Sequence, residues 1–145
     1  MSIRLDRKKI LCISFFLCCV FPACFGWFET EADVFSGLSQ LELPLLIGTT
    51  MFAFALLFER PLFILPLGIL SHLVLLAFTL YRFAVFPVNA GAASEYDLSH
   101  SLSSACAGFW VGLSLQLAHL ILFTTTELAV RRLARHSAAK KHSDH

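Results

Sequence analysis

Four long apolar segments, separated by short polar stretches, dominate this chain. They cover about residues 10–28, 43–58, 62–86 and 102–130. An α-helix needs roughly 20 consecutive apolar residues to cross the hydrocarbon of a bilayer, with a range of about 17 to 25. The third and fourth segments reach that length and the second is marginal. The pattern therefore predicts an all-α integral membrane protein built as an antiparallel four-helix bundle.

The connections between these segments are short. Only Glu59, Arg60 and Pro61 separate the second segment from the third, which predicts a helical hairpin in which Pro61 begins the later helix. Pro44 suits the first turn of the second helix in the same way. Residues 1–130 then form one transmembrane domain, followed by a basic polar tail over 131–145, and no internal repeat is evident.

The basic residues are concentrated at the two ends of the chain, whereas most acidic residues lie between the apolar segments. Because cytoplasmic flanks of membrane helices are enriched in Lys and Arg, both termini are expected on the cytoplasmic side, after an even number of crossings. An endomembrane or the plasma membrane is favoured. The basic residues that carry this prediction are Arg4, Arg7, Lys8, Lys9, Arg131, Arg132, Arg135, Lys140 and Lys141.

Residues 1–26 have a second interpretation as a cleaved secretory signal. They combine a basic start, a short apolar stretch and the small residues Cys24 and Gly26. Cleavage would leave three helices and an outside N-terminus. We favour retention of the first helix, because Phe25, Trp27 and Phe28 extend the apolar stretch beyond the candidate cleavage site.

Composition supports a membrane class, since 57% of the residues are hydrophobic, 14% are charged and 15 of the 145 are Phe. A soluble domain of this size does not bury so much apolar surface. The expected partners are membrane lipids, with anionic headgroups at the basic tail. Nucleic acid is not expected, because the basic residues flank the apolar segments instead of lining an aromatic groove.

Small and polar residues line one face of the third segment and one face of the fourth. Such residues let two helix backbones approach closely, and Gly108 and Gly112 form a G-x-x-x-G motif. We therefore predict a helix-packing interface on these two faces. Its members are Gly68, Ser71, Thr79, Ser104, Gly108, Gly112 and Gln116.

Two histidines lie at matching depths within the third and fourth segments. His72 follows Leu62 by ten positions and His119 precedes Val130 by eleven, which places both roughly 15 Å from the inner boundary. One hypothesis is a shared site that holds haem b or a metal, or that relays protons. The alternative, which we favour, is interhelical hydrogen bonding that fixes helix register, because no carboxylate or thiol stands at a recognised spacing from either histidine.

Arg82, near the outer end of the third segment, is predicted to extend to the interface. It is expected to pair there with Glu42, Glu95 or Asp97, or to bind an anionic lipid. At the inner end, the spacing of Glu127 and Arg131 predicts a helical ion pair.

The five cysteines contain no C-x-x-C, which weakens any interpretation as a membrane dithiol oxidoreductase. We expect most of them to be small buried apolar residues. Palmitoylation of Cys12 and a disulfide between Cys24 and Cys106 are hypotheses that rest on position alone.

The sequence contains no complete set of catalytic residues, so we expect no enzymatic activity. The favoured function is that of an accessory or structural subunit, which packs its helices against other integral membrane subunits of a larger complex. The alternative is a haem-binding or proton-conducting protein built on His72 and His119.

Overall fold

The computed structural model describes residues 2–57, 61–91 and 96–143, and the side chains of 7–57, 63–91 and 96–137. The structure is mostly helical and contains one small antiparallel sheet. In chain order, the elements are helix α1 (Ser2–Phe15), a π turn (Phe16–Val20), a 3₁₀ turn (Phe21–Cys24), strands β1 (Gly26–Glu29) and β2 (Val34–Ser36), and helices α2 (Gly37–Leu57), α3 (Pro61–Asn89), α4 (Leu98–Ser104) and α5 (Ala107–Ser143).

Within the described residues, three helices are long and apolar enough to cross a membrane, namely Gly37–Leu57, Phe63–Asn89 and Ala107–Ser137. This confirms the prediction of a transmembrane helical protein. The first apolar segment differs, because it is α-helical only to Phe15 and then passes through the π turn and the 3₁₀ turn. Pro22 has no backbone N–H to continue α-helical bonding, which explains why the helix ends in this region.

The prediction of an all-α chain with a first helix to residue 28 was wrong at the end of the first apolar segment. Trp27 and Phe28 belong to β1, which pairs with β2 through Phe28 and Phe35 and through Glu29 and Val34. Aromatic residues favour strands when their side chains are half or fully buried. Both Trp27 and Phe28 are fully buried here, so tertiary packing decides between strand and helix.

Helix α2 begins at Gly37, earlier than the predicted residue 43, so Pro44 lies inside it. A proline within a helix removes one backbone hydrogen bond and its ring crowds the preceding turn. The backbone accordingly departs from helical geometry at Leu41, with φ −121° and ψ 20°. Helix α3 extends to Asn89, beyond the predicted residue 86, and packs along α2.

The predicted fourth helix over 102–130 is divided. Asp97 caps the short helix α4 by accepting a hydrogen bond from the Ser99 backbone N–H at 2.9 Å. The chain then leaves helical geometry at Ala105, which bridges to Phe28, and the Cys106 N–H donates to the Trp27 carbonyl at 2.8 Å. Helix α5 continues past residue 130 to Ser143, so the described part of the basic tail is helical.

The buried core contains two groups of aromatic rings. The first, which we call the histidine cage, consists of Phe15, Phe52 and Phe123, and its Phe15 and Phe52 rings stack at 4.1 Å. The second, which we call the hairpin cluster, lies beneath the β-hairpin and consists of Trp27, Phe28, Phe86 and Phe109.

Candidate functional site

The structure brings His72 of α3 and His119 of α5 into direct contact. Both side chains are only 1% exposed. Their rings stack with centroids 5.0 Å apart and an interplanar angle of 17°, and His72 Nε2 lies 2.7 Å from His119 Nδ1. We refer to these two residues as the histidine pair.

A continuous series of hydrogen bonds passes through the histidine pair. His72 Nδ1 lies 2.6 Å from the Gly68 carbonyl oxygen, which only accepts, so this nitrogen carries a proton. In a neutral His72 ring, Nε2 is then an acceptor, and His119 Nδ1 donates to it. His119 Nε2 is left as an acceptor, and Ser14 Oγ of α1 lies 2.9 Å from it.

The Ser14 hydroxyl determines how many protons the histidine pair carries. It has one proton to donate, and its oxygen also lies 3.0 Å from the Leu11 carbonyl. When the hydroxyl donates to His119, both rings are neutral. When it donates to Leu11, His119 Nε2 must itself be protonated, and the pair holds one additional proton and one positive charge. Rotation of a single hydroxyl therefore separates the two protonation states.

The histidine cage isolates the pair from other polar groups. Phe15 meets both imidazoles edge-on, at centroid distances of 5.3 and 5.8 Å, and Phe123 stacks on His72 at 5.6 Å. Among the residues that the structure describes, the cluster of ionisable groups here contains Cys19 and the two histidines but no carboxylate. A charge on the pair is compensated mainly by hydrogen bonds and aromatic faces.

A cleft leads to the Ser14 end of the hydrogen-bonded series. It lies between α1 and α5 and has a volume of about 480 Å³. Its lining consists of Arg7, Ser14, His119, Thr126 and three apolar side chains. Arg7 forms an ion pair with Glu127, whose side chain is 2% exposed. This pair joins α1 to α5 two helical turns from His119.

Three other predicted polar residues form contacts within the chain. Ser71 Oγ donates to the Gly48 carbonyl at 2.9 Å, which joins α3 to α2. Thr79 Oγ1 donates to Gln116 Oε1 at 3.2 Å, which joins α3 to α5. Gln116 Nε2 is buried and has no hydrogen-bond partner among the described residues.

The small residues also face other parts of the chain. A side chain at Gly68 would collide with the Phe123 ring, and one at Gly112 would lie 2.9 Å from the Trp27 ring. At Gly108 an added Cβ would collide with the Gly26 carbonyl oxygen. The G-x-x-x-G motif therefore faces the β-hairpin and not another long helix. Ser104 lies at the end of α4 and not in α5 with the two glycines, and it lines a second, more polar cleft.

Arg82 is half-buried, and no ion pair to it is found within residues 7–57, 63–91 and 96–137. Of its predicted partners, Glu42 is exposed and Asp97 binds Ser99 and His100, while Glu95 lies outside the described residues. Glu59 and Arg60, which separate the second and third apolar segments, also fall outside the described part of the chain.

Cys19 was missed as a site residue in the sequence analysis, which treated it as packing. It lies in the π turn, is 1% exposed, and its sulfur falls within 4.8 Å of the histidine ligand atoms.

Cys12 and Cys24 are exposed, and Cys24 and Cys106 are free thiols, so the disulfide considered from sequence is not formed. Burial, and secondarily the nearby Glu29 carboxylate, raises the pKa of Cys106.

Comparison with known protein families, with curated proteins and with solved structures finds no match.

The geometry of the site disfavours haem at the histidine pair. An iron held between two opposed imidazole nitrogens would separate them by roughly 4 Å, twice a typical metal–nitrogen bond. Here the nitrogens are hydrogen-bonded at 2.7 Å, and the histidine cage fills the space beside them that a porphyrin would need.

Proposed function

We propose that this membrane protein takes up and releases a proton at the histidine pair, through the cleft between α1 and α5. The observation that supports this function is the series from the Gly68 carbonyl through His72 and His119 to Ser14. An imidazole changes charge near neutral pH more readily than any other unperturbed side chain, and a buried histidine facing a cleft is suited to respond to proton concentration.

The proposal includes a topology. The segment from α1 through the 3₁₀ turn would form a fourth crossing beside the three long helices, giving an antiparallel bundle. Both termini would then lie on the side of the basic residues, as the distribution of Lys and Arg favours. Arg7 and Glu127 lie toward that side, so the cleft would open to the cytoplasm.

Proton uptake fits the site better than conduction across the membrane. Among the described residues, the hydrogen-bonded series ends at the Gly68 carbonyl, and the hairpin cluster fills the core farther out. Because the pair joins α3 and α5 and is bonded to Ser14 of α1, an added charge changes the packing of three helices at once. The protein would then act as a proton-responsive element and not as a pore.

Nuclear magnetic resonance of ¹⁵N-histidine protein in nanodiscs tests this function. We expect a scalar coupling across the hydrogen bond between His72 Nε2 and His119 Nδ1, and the uptake of one proton by the pair as the pH is lowered. His119→Gln should abolish the coupling. His100→Gln, at an exposed histidine, serves as the matched control and should leave it unchanged. The proposal fails if His72 and His119 titrate independently, as two exposed imidazoles would.

The favoured function from sequence, an accessory subunit of a membrane complex, is retained as a second proposal. It is supported by α5, which extends past residue 130 and presents basic residues and Leu133, 70% exposed. Against it, the small residues that suggested partner packing face other parts of the same chain. Purification in mild detergent should recover stoichiometric partners that Leu133→Ser releases, whereas a monodisperse single chain would count against this function.

A further inference from the structure

The third member of the buried cluster, Cys19, suggests a function beyond proton uptake. We propose that Cys19, His72 and His119 form a three-coordinate site for copper(I). The site uses the same imidazoles as proton uptake but does not depend on that function.

The ligand atoms are close to metal-binding positions. The thiol sulfur and the histidine nitrogens all lie within 4.8 Å of one another, in a fully buried cluster. Around a trigonal metal with bonds of about 2.0 Å to nitrogen and about 2.3 Å to sulfur, ligand atoms lie roughly 3.5 to 3.8 Å apart. Opening the 2.7 Å contact between the imidazoles by about 1 Å would reach this spacing.

The outward nitrogens of the imidazoles already have the partners that a metal site requires. Metal-bound histidines usually donate their second N–H to a fixed acceptor, which orients the ring. His72 Nδ1 has the Gly68 carbonyl as its acceptor. If His119 binds metal through Nδ1, its proton moves to Nε2 and is donated to Ser14 Oγ, while the Ser14 hydroxyl donates to the Leu11 carbonyl.

Charge balance selects copper(I). Binding removes the Cys19 thiol proton, so one thiolate and two neutral imidazoles surround the ion. A monovalent ion gives a neutral complex, whereas Zn²⁺ gives a net positive charge with no carboxylate in the described cluster to offset it. A permanent net charge is costly at membrane depth, unlike a proton that the pair takes up and releases, and thiolate with imidazole suits soft metals. Ca²⁺ and Mg²⁺ are excluded because they require oxygen ligands.

The proton balance is one proton released for each ion bound, from the Cys19 sulfur. The other protons of the site are rearranged and not lost: His72 keeps its Nδ1 proton, and the His119 proton moves from one ring nitrogen to the other. Neither metal nor thiol changes oxidation state.

Copper(I) binding to the purified full chain, without oxygen and against a chromophoric copper(I) chelator, tests the site. We expect one bound equivalent, with one sulfur and two nitrogens by X-ray absorption. Ser14→Ala removes a hydrogen-bond partner of a metal ligand and should weaken copper(I) binding by roughly 10- to 100-fold. Cys19→Ala removes a ligand itself and should weaken binding by more than that. Cys18→Ser, at the adjacent and less buried thiol, is the matched control and should bind normally.

Several results would overturn the proposal. These are unchanged copper(I) affinity in Cys19→Ala, equal loss in Cys18→Ser, tighter binding of Zn²⁺ than of copper(I), or no binding. The coupling between the imidazoles distinguishes this failure from failure of proton uptake. Cys19→Ala should retain the coupling, which also verifies folding, and one equivalent of copper(I) should remove it from the unsubstituted protein. Coupling that persists with copper bound would place the ion elsewhere.

Discussion

The contact between Gly108 of α5 and strand β1 permits a quantitative test of how α5 packs on the β-hairpin. A methyl group at Gly108 would collide with the Gly26 carbonyl oxygen, which is a backbone atom held within the β-hairpin. In Gly112→Ala the methyl group would instead lie 2.9 Å from the edge of the Trp27 ring, which has some freedom to tilt. The two substitutions are chemically identical, so any difference between them reflects what each glycine faces.

The expected magnitudes follow from two opposing effects. Replacing Gly by Ala inside a helix stabilises it by about 0.8 to 1 kcal/mol. Inserting a methyl group into a filled space costs about 1 to 3 kcal/mol, and the cost is highest where backbone must move. We therefore expect a net destabilisation of about 2 kcal/mol for Gly108→Ala and about 0.5 kcal/mol for Gly112→Ala.

Unfolding in mixed detergent micelles measures these values. The chain has two tryptophans, so a Trp110→Phe background leaves buried Trp27, whose ring faces Gly112, as the only tryptophan reporter. Ser114→Ala, at an exposed position on α5, should change stability by less than about 0.5 kcal/mol. A Gly108→Ala variant more stable than its parent would show that α5 does not pack on the first strand.

Three further predictions concern charged and reactive groups. Arg7→Ala should destabilise the protein by about 2 kcal/mol in the same unfolding assay. This is less than the roughly 3 to 5 kcal/mol for breaking a fully buried ion pair, because Arg7 is 33% exposed. Adding Glu127→Gln, which removes the unpaired buried charge, should recover most of the loss. Because the Glu29 carboxylate helps to raise the pKa of Cys106, Glu29→Gln should accelerate maleimide labelling of that thiol at pH 8; an unchanged rate would contradict this. Hydrogen bonds, of which the one from the Ser99 hydroxyl contributes most, lower the pKa of Asp97 from 3.8 to about 2. The stabilisation of α4 by the Asp97 carboxylate is therefore complete above pH 3.8 and disappears as the pH falls through about 2. Hydrogen exchange of the α4 amides should show this loss, and Asp97→Asn should remove its pH dependence.

The membrane class and the three long helices could be predicted from sequence because hydropathy and segment length are local properties. A simple count placed His72 and His119 at matching depths, since helices of constant rise convert sequence position into depth. The contact between their rings at 2.7 Å depends in addition on how α3 and α5 are rotated toward each other, which the count does not give.

The β-hairpin could not be predicted because its decisive contacts are distant in sequence. Trp27 and Phe28 are apolar and continue the first segment, so a local pattern assigns them to a helix. Their burial against Phe109 and their backbone bonds at Ala105 and Cys106 favour the strand instead. The break before α5 depends on the same contacts, and neither glycine nor proline marks it.

Cys19 was overlooked for a related reason. In a regular apolar helix a buried cysteine is ordinary, and Cys19 was counted among the small buried apolar residues. Its closeness to the histidine pair depends on how α1 and the π turn pack against α3 and α5, which no spacing within the first segment encodes.

The π turn at Phe16–Val20 uses about one residue more than an α-helical turn to complete a similar rotation. Deleting one residue there would restore α-helical winding and leave Ala23 and the polypeptide leading to Trp27 on nearly the same face. A deletion within α1, where no π turn absorbs it, would instead rotate the residues before it by about 100° relative to those after it. The first segment therefore contains one place at which its length can change while the buried faces on either side stay in phase, a property that no single side chain carries.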